Sequence, residues 1–477
     1  MFGFNRDSMK MHPLLLVVFV YLAFEETAQA GDAPGPNKPN IVFLFADDQR
    51  SGTLNLGGEG NPETITPNLD KLARRGVHFR NAYVFGADRG SVCYPSRAQL
   101  LSGKSLFQSE MIDTPSSGID DLNLPAALRL AGYQTMRSGK ANNVPYGINM
   151  EFDVNVERAN RGSVAGNVGY FQDASDFLDQ KQLDGLGDVS FTWDGESPFF
   201  IYLAVGTPHE PYPRDEAAVE LYKGKTVTAP KDALVLHDVY AELLDQFLDR
   251  DSTLEDVASE TRNYYASISF MDRLFGELVE QLRAKGLYEN TIFVFAGDNG
   301  LSIGSHGLHG KSNLMEFGGM HVPLIFAGPG VTSARSDALV YLLDVFPTLS
   351  DLAGAAKPAS LDGKSLCKLL RGEEKKVRDS LLTVYTNDAE LRAVRDDRWK
   401  LHYFPSKERY ELYDLASDPR ELKNLASDPA HGQTLARMKG LMERDRKHWK
   451  DPYPKAATVK RVFKKSKLPE GQILPVL

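Results

Sequence analysis

Cysteine is nearly absent from this chain: Cys93 and Cys367 are the only two in 477 residues. That scarcity excludes the disulfide-dense scaffold of a small secreted domain, although one bridge between the two stays open. Positive charge is not in surplus either. The formal net charge is −9, which argues against a general nucleic-acid binder. No internal repeat and no heptad pattern runs through the chain, so solenoid and coiled-coil architectures are excluded. After the first thirty residues, no segment is long and apolar enough to span a bilayer as a helix.

What is present is the composition of an ordinary globular protein, 42% hydrophobic and 25% charged, with length enough for one large domain and a smaller one. Residues 1–30 read as an export signal. Arg6 and Lys10 give a positive start, "PLLLVVFVYLAF" is a short apolar run, and "AQA" offers small residues for cleavage. An uncleaved membrane anchor is the alternative. With the signal removed, the chain is expected to be secreted or periplasmic, with no transmembrane segment.

A Gly/Pro-rich linker, 31–38, precedes the fold. Residues 41–46 are an apolar run that ends at Asp47 and Asp48. This reads as a buried parallel strand with both acids at its carboxyl end. "TPNLDKLARRGV" reads as a helix, with Thr66 as N-cap, Pro67 in its first turn and Gly76 as its stop. "PSRAQLLSG" reads as a short helix beginning at proline. "PFFIYLAVGTPHEPY", "TIFVFAGDNG" and "VPLIFAGPG" read as further strands, and residues 257–285 as a long amphipathic helix. Residues 162–194, polar and glycine-rich, read as an insertion or a substrate loop. "LVYLLDVFPTLSDLAG" reads as a helix. The alternation predicts an α/β domain, 39–370, built on a large, mainly parallel sheet flanked by helices. Short alternating runs after it predict a smaller C-terminal antiparallel-sheet subdomain, 371–477, that ends in a basic tail. Within "DDRWKLHYFPSKERY", aromatic and charged residues are candidates for lining the entrance.

Ligands of such sheets sit at the carboxyl ends of the strands. Asp47 and Asp48 at one end, with Asp298 and Asn299 at another, form a set of hard oxygen donors suited to Ca²⁺ or Mg²⁺ rather than Zn²⁺.

The segment "CYPSRAQLLSGK", from Cys93, resembles the signature of the sulfatase family, Cys-x-Pro-Ser-Arg with a Leu-Thr-Gly-Arg-like ending; here Ser102 and Lys104 stand in that ending. "PNIVFLFADDQR", "TPHEPY", "GDNG", "HGLHGKSNLMEFGGMHVPLIFAGPG" and "ELYDLASDPRELKNLA" follow the family's order. The resemblance implies an alkaline-phosphatase-like hydrolase whose Cys93 is oxidised to formylglycine. The partner that does this is a formylglycine-generating or radical maturation enzyme. It implies a metal, Ca²⁺ with Mg²⁺ as the alternative, held by Asp47, Asp48, Asp298 and Asn299 and reached by residue 93. It also implies that Arg97 orients the hydrated aldehyde, that Lys140 and Lys311 contact sulfate, and that His209 contacts sulfate or protonates the leaving oxygen. The expected substrate is a sulfated carbohydrate, with aryl sulfates as test substrates. One departure stands out: where the family reads Gly-Lys-Trp-His, this chain reads Gly139, Lys140, Ala141, Asn142. Asparagine cannot take a proton, which makes His306 and His309 candidates for that role or for substrate contact. Two alternatives remain at this stage: a phosphodiester or phosphonate monoester hydrolase of the same superfamily, and a catalytically impaired binder of sulfated glycans.

Overall fold

Residues Asn40–Ala46 (β1) are buried at every position. Their side chains alternate between two hydrophobic clusters, Ile41, Phe43 and Phe45 in one and Val42, Leu44 and Ala46 in the other. A strand with no polar face can sit only in the middle of a sheet that is covered on both sides. In this computed structural model the described residues are 38–90, 92–108, 113–142, 144–233, 235–243, 252–387 and 390–453. The export-signal residues 1–30 and the basic tail from Lys460 lie outside them. Among the described residues, no helix is long and apolar enough to cross a membrane.

The chain continues through β2 (Val77–Tyr83), β3 (Gly86–Ala87), β4 (Gln134–Lys140), β5 (Val154–Arg158), β6 (Leu183–Gly185), β7 (Val189–Phe191), β8 (Phe199–Ala204), β9 (Thr291–Gly297), β10 (His321–Ala327) and β11 (Ala334–Tyr341). Eight of these form one sheet in the order β11-β2-β10-β9-β1-β8-β4-β5. Only β10 runs against the others. The helices Val164–Leu178 and Leu254–Ala284 bury Tyr170, Phe171, Phe270 and Met271 on one face. The helices Cys93–Ser102 and Val345–Ala353 bury Leu100, Leu101, Phe346 and Leu349 on the other. Each fully buried Leu or Phe contributes roughly 1.5–3 kcal/mol of hydrophobic stabilisation.

A second sheet is formed by β12 (Leu381–Tyr385), β13 (Leu391–Arg395), β14 (Trp399–Phe404) and β15 (Arg409–Asp414), antiparallel to one another, with β3 paired in parallel to β12. The helix Gly432–His448 seats Met438 and Met442 against Val394, Leu401 and Leu412. The fold class is therefore the expected one, a large mainly parallel α/β sheet with a small, mainly antiparallel sheet after it.

Three local expectations are corrected. Residues 162–194 are not a loop: they hold the 15-residue helix Val164–Leu178, followed by the β6–β7 ribbon. Its buried face looked polar because it includes Asn167, Gly169 and Asp173. Asp173 accepts from Ser138 Oγ at 2.6 Å and Arg158 Nε at 2.8 Å. Gly169 leaves room for that arginine, since a Cβ there would lie 2.7 Å from its guanidinium carbon. Gly169→Val is expected to destabilise by about 1–3 kcal/mol, by overpacking and by loosening the Arg158–Asp173 pair; a urea melt checks it. In "LVYLLDVFPTLSDLAG", Leu339–Tyr341 close β11, and the helix begins only at Val345. Asp344 makes the break: its carboxylate accepts the Tyr341 N–H at 2.8 Å and Arg378 Nη1 at 2.6 Å. Third, Lys400 and His402 do not line an entrance. They are buried against Glu316 and Glu421. The two cysteines are both free thiols, so the bridge left open by the sequence does not form.

The small sheet carries a strongly charged interior. Burial pushes the Glu421 carboxyl up, but Lys400 and His402 outweigh it and hold it down at about 2. Glu411 is likewise held at about 2, burial being outweighed by His237, which lies 2.7 Å away. A carboxyl depressed on folding contributes its stability in full above its ordinary value, here 4.5, and loses it as pH falls toward the folded value. The melting temperature is thus expected to fall between about pH 4.5 and about pH 2, and Glu411→Gln should flatten that limb.

Candidate active site

The register of the central strands builds the site. Ala46 pairs with Gly297, so the residues that follow β1 and β9 leave the sheet side by side. Asp48 N–H then donates to Asp298 Oδ1 at 2.9 Å, and Asp47 N–H to the Thr207 carbonyl at 2.8 Å in the loop after β8. Asp47, Asp48, Asp298 and Asn299 are all at most 2% exposed. Cys93 opens its helix from the neighbouring element, with Sγ 3.1 Å from Asp47 Oδ1 and 3.4 Å from Asp48 Oδ1. The helix starts at Cys93, two residues earlier than expected, which leaves Pro95 in the first turn where its missing N–H costs nothing.

Three cations face these three carboxylates. Lys140, at the end of β4, donates to Asp47 Oδ2 at 2.5 Å. Lys311 donates to both Asp48 oxygens at 2.5 and 2.7 Å and to Cys93 Sγ at 3.1 Å. Arg97 donates Nε to Asp298 Oδ2 at 2.9 Å, while its Nη2 lies 3.7 Å from Asp47 Oδ1. His209 Nε2 is 3.4 Å from Asp48 Oδ2, and its Nδ1 is 2.5 Å from the Glu210 carbonyl. A carbonyl can only accept, so Nδ1 carries the ring proton and donates it there, and Nε2 is turned toward the cluster.

Burial raises the Asp47 carboxyl, but Lys140, Arg97, His209 and Lys311 outweigh it and hold it well below the usual range. Burial raises Asp298 to about 6, against Arg97 and with help from Asp47 and Asp48. Burial, Asp298 and Asp47 push the Cys93 thiol well above its ordinary value despite both lysines. As a plain thiol, Cys93 is therefore a poor nucleophile at neutral pH. Burial lowers His209 more than the aspartates raise it, so the imidazole rests neutral.

The residues fit a hard dication. Ligand atoms of Asp47, Asp48, Cys93 and His209 all lie within 4.8 Å of one another. Asn299 Nδ2 donates to Asp48 Oδ1 at 2.7 Å, while its Oδ1 is buried with no hydrogen-bond partner among the described residues, an acceptor to which a cation would answer. The formal charges of three carboxylates and three cations cancel. They stay cancelled when a dication, a singly charged sulfate ester and one ionised hydroxyl are added together.

Nine of the residues singled out in the sequence, namely Asp47, Asp48, Cys93, Arg97, Lys140, His209, Asp298, Asn299 and Lys311, thus stand in one cluster. Asn142 follows Lys140 by two residues, exposed and at φ 60°. His306 is turned to Asp232, 3.6 Å away, and His309 to Glu260 at 3.2 Å. Sequence reading missed Tyr264, whose hydroxyl donates to the Asp48 carbonyl at 2.7 Å and accepts the Arg50 N–H at 3.1 Å. On an amphipathic helix it looks like any core aromatic. It also missed Asp232, which ties His306 to Arg420; an acid in an unpatterned loop gave no signal.

Residues 39–355 match the model of the sulfatase family, and residues 304–448 match the model of the N-sulphoglucosamine sulphohydrolase C-terminal region. The chain is similar to choline-sulfatase of Rhizobium meliloti, 30% identical over 81% of this chain and 82% of that one. It is also similar to N-acetylglucosamine-6-O-sulfatase of Bacteroides thetaiotaomicron, 24% identical over 87% and 88%. A solved protein in complex with its substrate D-glucosamine-2-N,6-O-disulfate shares the fold, with a TM-score of 0.71 and 22% identity over 88% of this chain and 99% of that one. The chain belongs to the sulfatase family, within the alkaline-phosphatase-like superfamily. Its chemistry is that of a sulfuric ester hydrolase.

Proposed function

We propose that the chain hydrolyses sulfate esters of carbohydrates, with residue 93 as the nucleophile after conversion of Cys93 to formylglycine. The observation that carries this is the setting of Cys93. A thiol held protonated by burial and by two aspartates is inert as it stands, yet it sits among three cations and a set of oxygen donors. Formylglycine would supply a hydrated aldehyde hydroxyl at that point. A Ca²⁺ or Mg²⁺ ion held by Asp47, Asp48, Asp298 and Asn299 would make that hydroxyl acidic and offset charge on the sulfate.

The side chains do the rest. Lys140 and Lys311 face the anionic sulfate and offset the charge that grows on its oxygens at the transition state. Arg97, held by Asp298, fixes the position of residue 93. His209 Nε2 is the one neutral imidazole nitrogen aimed into the cluster. It takes the proton that the hydroxyl of residue 93 gives up as it attacks sulfur, and passes it to the oxygen of the departing alcohol as the S–O bond breaks. Asn142 cannot relay a proton, so sulfate release rests on the residues around position 93.

Sulfated sugars are favoured because an N-acetylglucosamine-6-O-sulfatase and a protein in complex with its substrate D-glucosamine-2-N,6-O-disulfate are among the similar proteins. Export to the periplasm or the exterior follows from the reading of residues 1–30. The test is peptide mass analysis of the segment around residue 93 in the native host, with inorganic sulfate measured after exposure to sulfated monosaccharides and 4-nitrophenyl sulfate. Formylglycine and free sulfate are expected. A retained thiol, or faster turnover of 4-nitrophenyl phosphonate esters than of any sulfate, would overturn the reading.

A further inference from the structure

The motif "ELYDLASDPRELKNLA" contains a glutamate that the reaction does not use. Glu421 is 2% exposed and holds a left-handed backbone at φ 55°, which a residue with a Cβ adopts only when its surroundings require it. Its partners supply the requirement. Oε2 accepts the backbone N–H of Glu316 at 2.6 Å, and Oε1 lies 2.8 Å from His402 Nε2 and 3.1 Å from Lys400 Nζ. Lys400, 1% exposed, donates to the Leu314 carbonyl at 2.5 Å and to Glu316 Oε1 at 2.9 Å. The Tyr240 hydroxyl accepts the Leu314 N–H at 3.1 Å. Arg395 Nη1 lies 3.2 Å from Glu316 Oε2, which the Tyr83 hydroxyl also meets.

The backbone at 314–316 is thus held by Lys400 of β14, by Glu421 in the segment after β15 and by Tyr240. A few residues upstream on the same loop is Lys311, whose ammonium meets Asp48 and Cys93 Sγ. On the other side, Asn313 Nδ2 ties the loop to Ser302 Oγ at 2.8 Å. A lysine stem is flexible, so where its charge can stand depends on where the backbone holds its Cα.

We propose that Glu421 and Lys400 are positioning residues for Lys311: by fixing the backbone at Leu314 and Glu316 they set where the ammonium group stands against Asp48 and residue 93. This rests on the sulfatase reading above for the role of Lys311 in turnover, not for the geometry.

The experiment uses the full matured chain and 4-nitrophenyl sulfate. Glu421→Ala and Lys400→Met are each expected to lower kcat by about 10–100-fold, as a displacement near 1 Å does, with the loss falling on kcat rather than KM. Glu421→Gln keeps an oxygen for the Glu316 N–H and is expected to stay within about threefold of the parent. In a Lys311→Ala background neither substitution should cost anything further, because both act through that side chain. Costs that multiply in the double variants, or an unchanged kcat in folded Glu421→Ala, would overturn the proposal. Crystal structures give a second readout: Lys311 Nζ is expected to leave Asp48 in Glu421→Ala, and an unmoved Nζ refutes positioning. That readout stands even if the parent releases no sulfate, in which case the sulfatase reading fails on its own. If Glu421→Ala does not fold, Lys400→Met against Glu421→Gln carries the same comparison.

Discussion

Cys93→Ala is expected to abolish sulfate release, by on the order of 10⁶-fold, the scale seen when a covalent nucleophile is removed from a preassembled site. The side chain is fully buried but small, and its Sγ makes contacts with Asp47, Asp48 and Lys311 that none of the three depends on for its own burial. The fold should therefore survive, with a melting temperature within a few degrees of the parent's. Cys93→Ser is the sharper variant. Serine offers one hydroxyl, so it can attack sulfur but has no second hydroxyl with which to expel the sulfate. A single burst of product without steady turnover is expected, read by stopped-flow detection of 4-nitrophenol. Full turnover by either variant would show that residue 93 is not the nucleophile.

The second large effect is expected at Asp298. Its carboxylate is the hydrogen-bonded partner of Arg97, and both side chains are at most 1% exposed. Asp298→Ala leaves a buried guanidinium whose remaining carboxylate partner among the described residues is Asp47, with Oδ1 3.7 Å from Nη2. Breaking a buried pair from one side costs roughly 3–5 kcal/mol, so a clear fall in melting temperature is expected. The same change removes one oxygen donor from the cluster. Titrating Ca²⁺ into the parent should raise its melting temperature, by as much as about 2.7 kcal/mol of stabilisation at a hundredfold excess over Kd. Asp298→Ala should show little of that rise. Asp298→Asn keeps the volume and separates the two effects: it recovers part of the stability without recovering activity. A Ca²⁺ response in Asp298→Ala equal to the parent's would remove Asp298 from the cation site.

Much of this was legible in the residues themselves. Asp47–Asp48 and Asp298–Asn299 each end an unbroken apolar run, and a strand buried on both faces places its last polar pair at the sheet's carboxyl edge. What the sequence concealed was polarity on buried faces. Gly169 and Asp173 made a packed helix look like a loop, because the arginine that satisfies Asp173 comes from another strand. Leu339–Tyr341 read as helix because three apolar residues in a row carry no period. Lys400 and His402 read as residues lining an entrance because the groups that satisfy them, Glu316, Glu421 and the Leu314 carbonyl, lie far away in the chain. In every case the missing information was a contact across the chain, which no local pattern records.

The parallel pairing of Gly86–Ala87 with Val384 and Tyr385 bears on how the pocket can move. A Cβ on Gly86 would lie 2.3 Å from the Val384 carbonyl oxygen and 2.4 Å from its Cγ2, so the two strands approach closely there and leave no room for a side chain at position 86. The small sheet cannot hinge away without tearing at the segment that leads into residue 93. Any opening of the pocket is therefore expected to leave this seam closed.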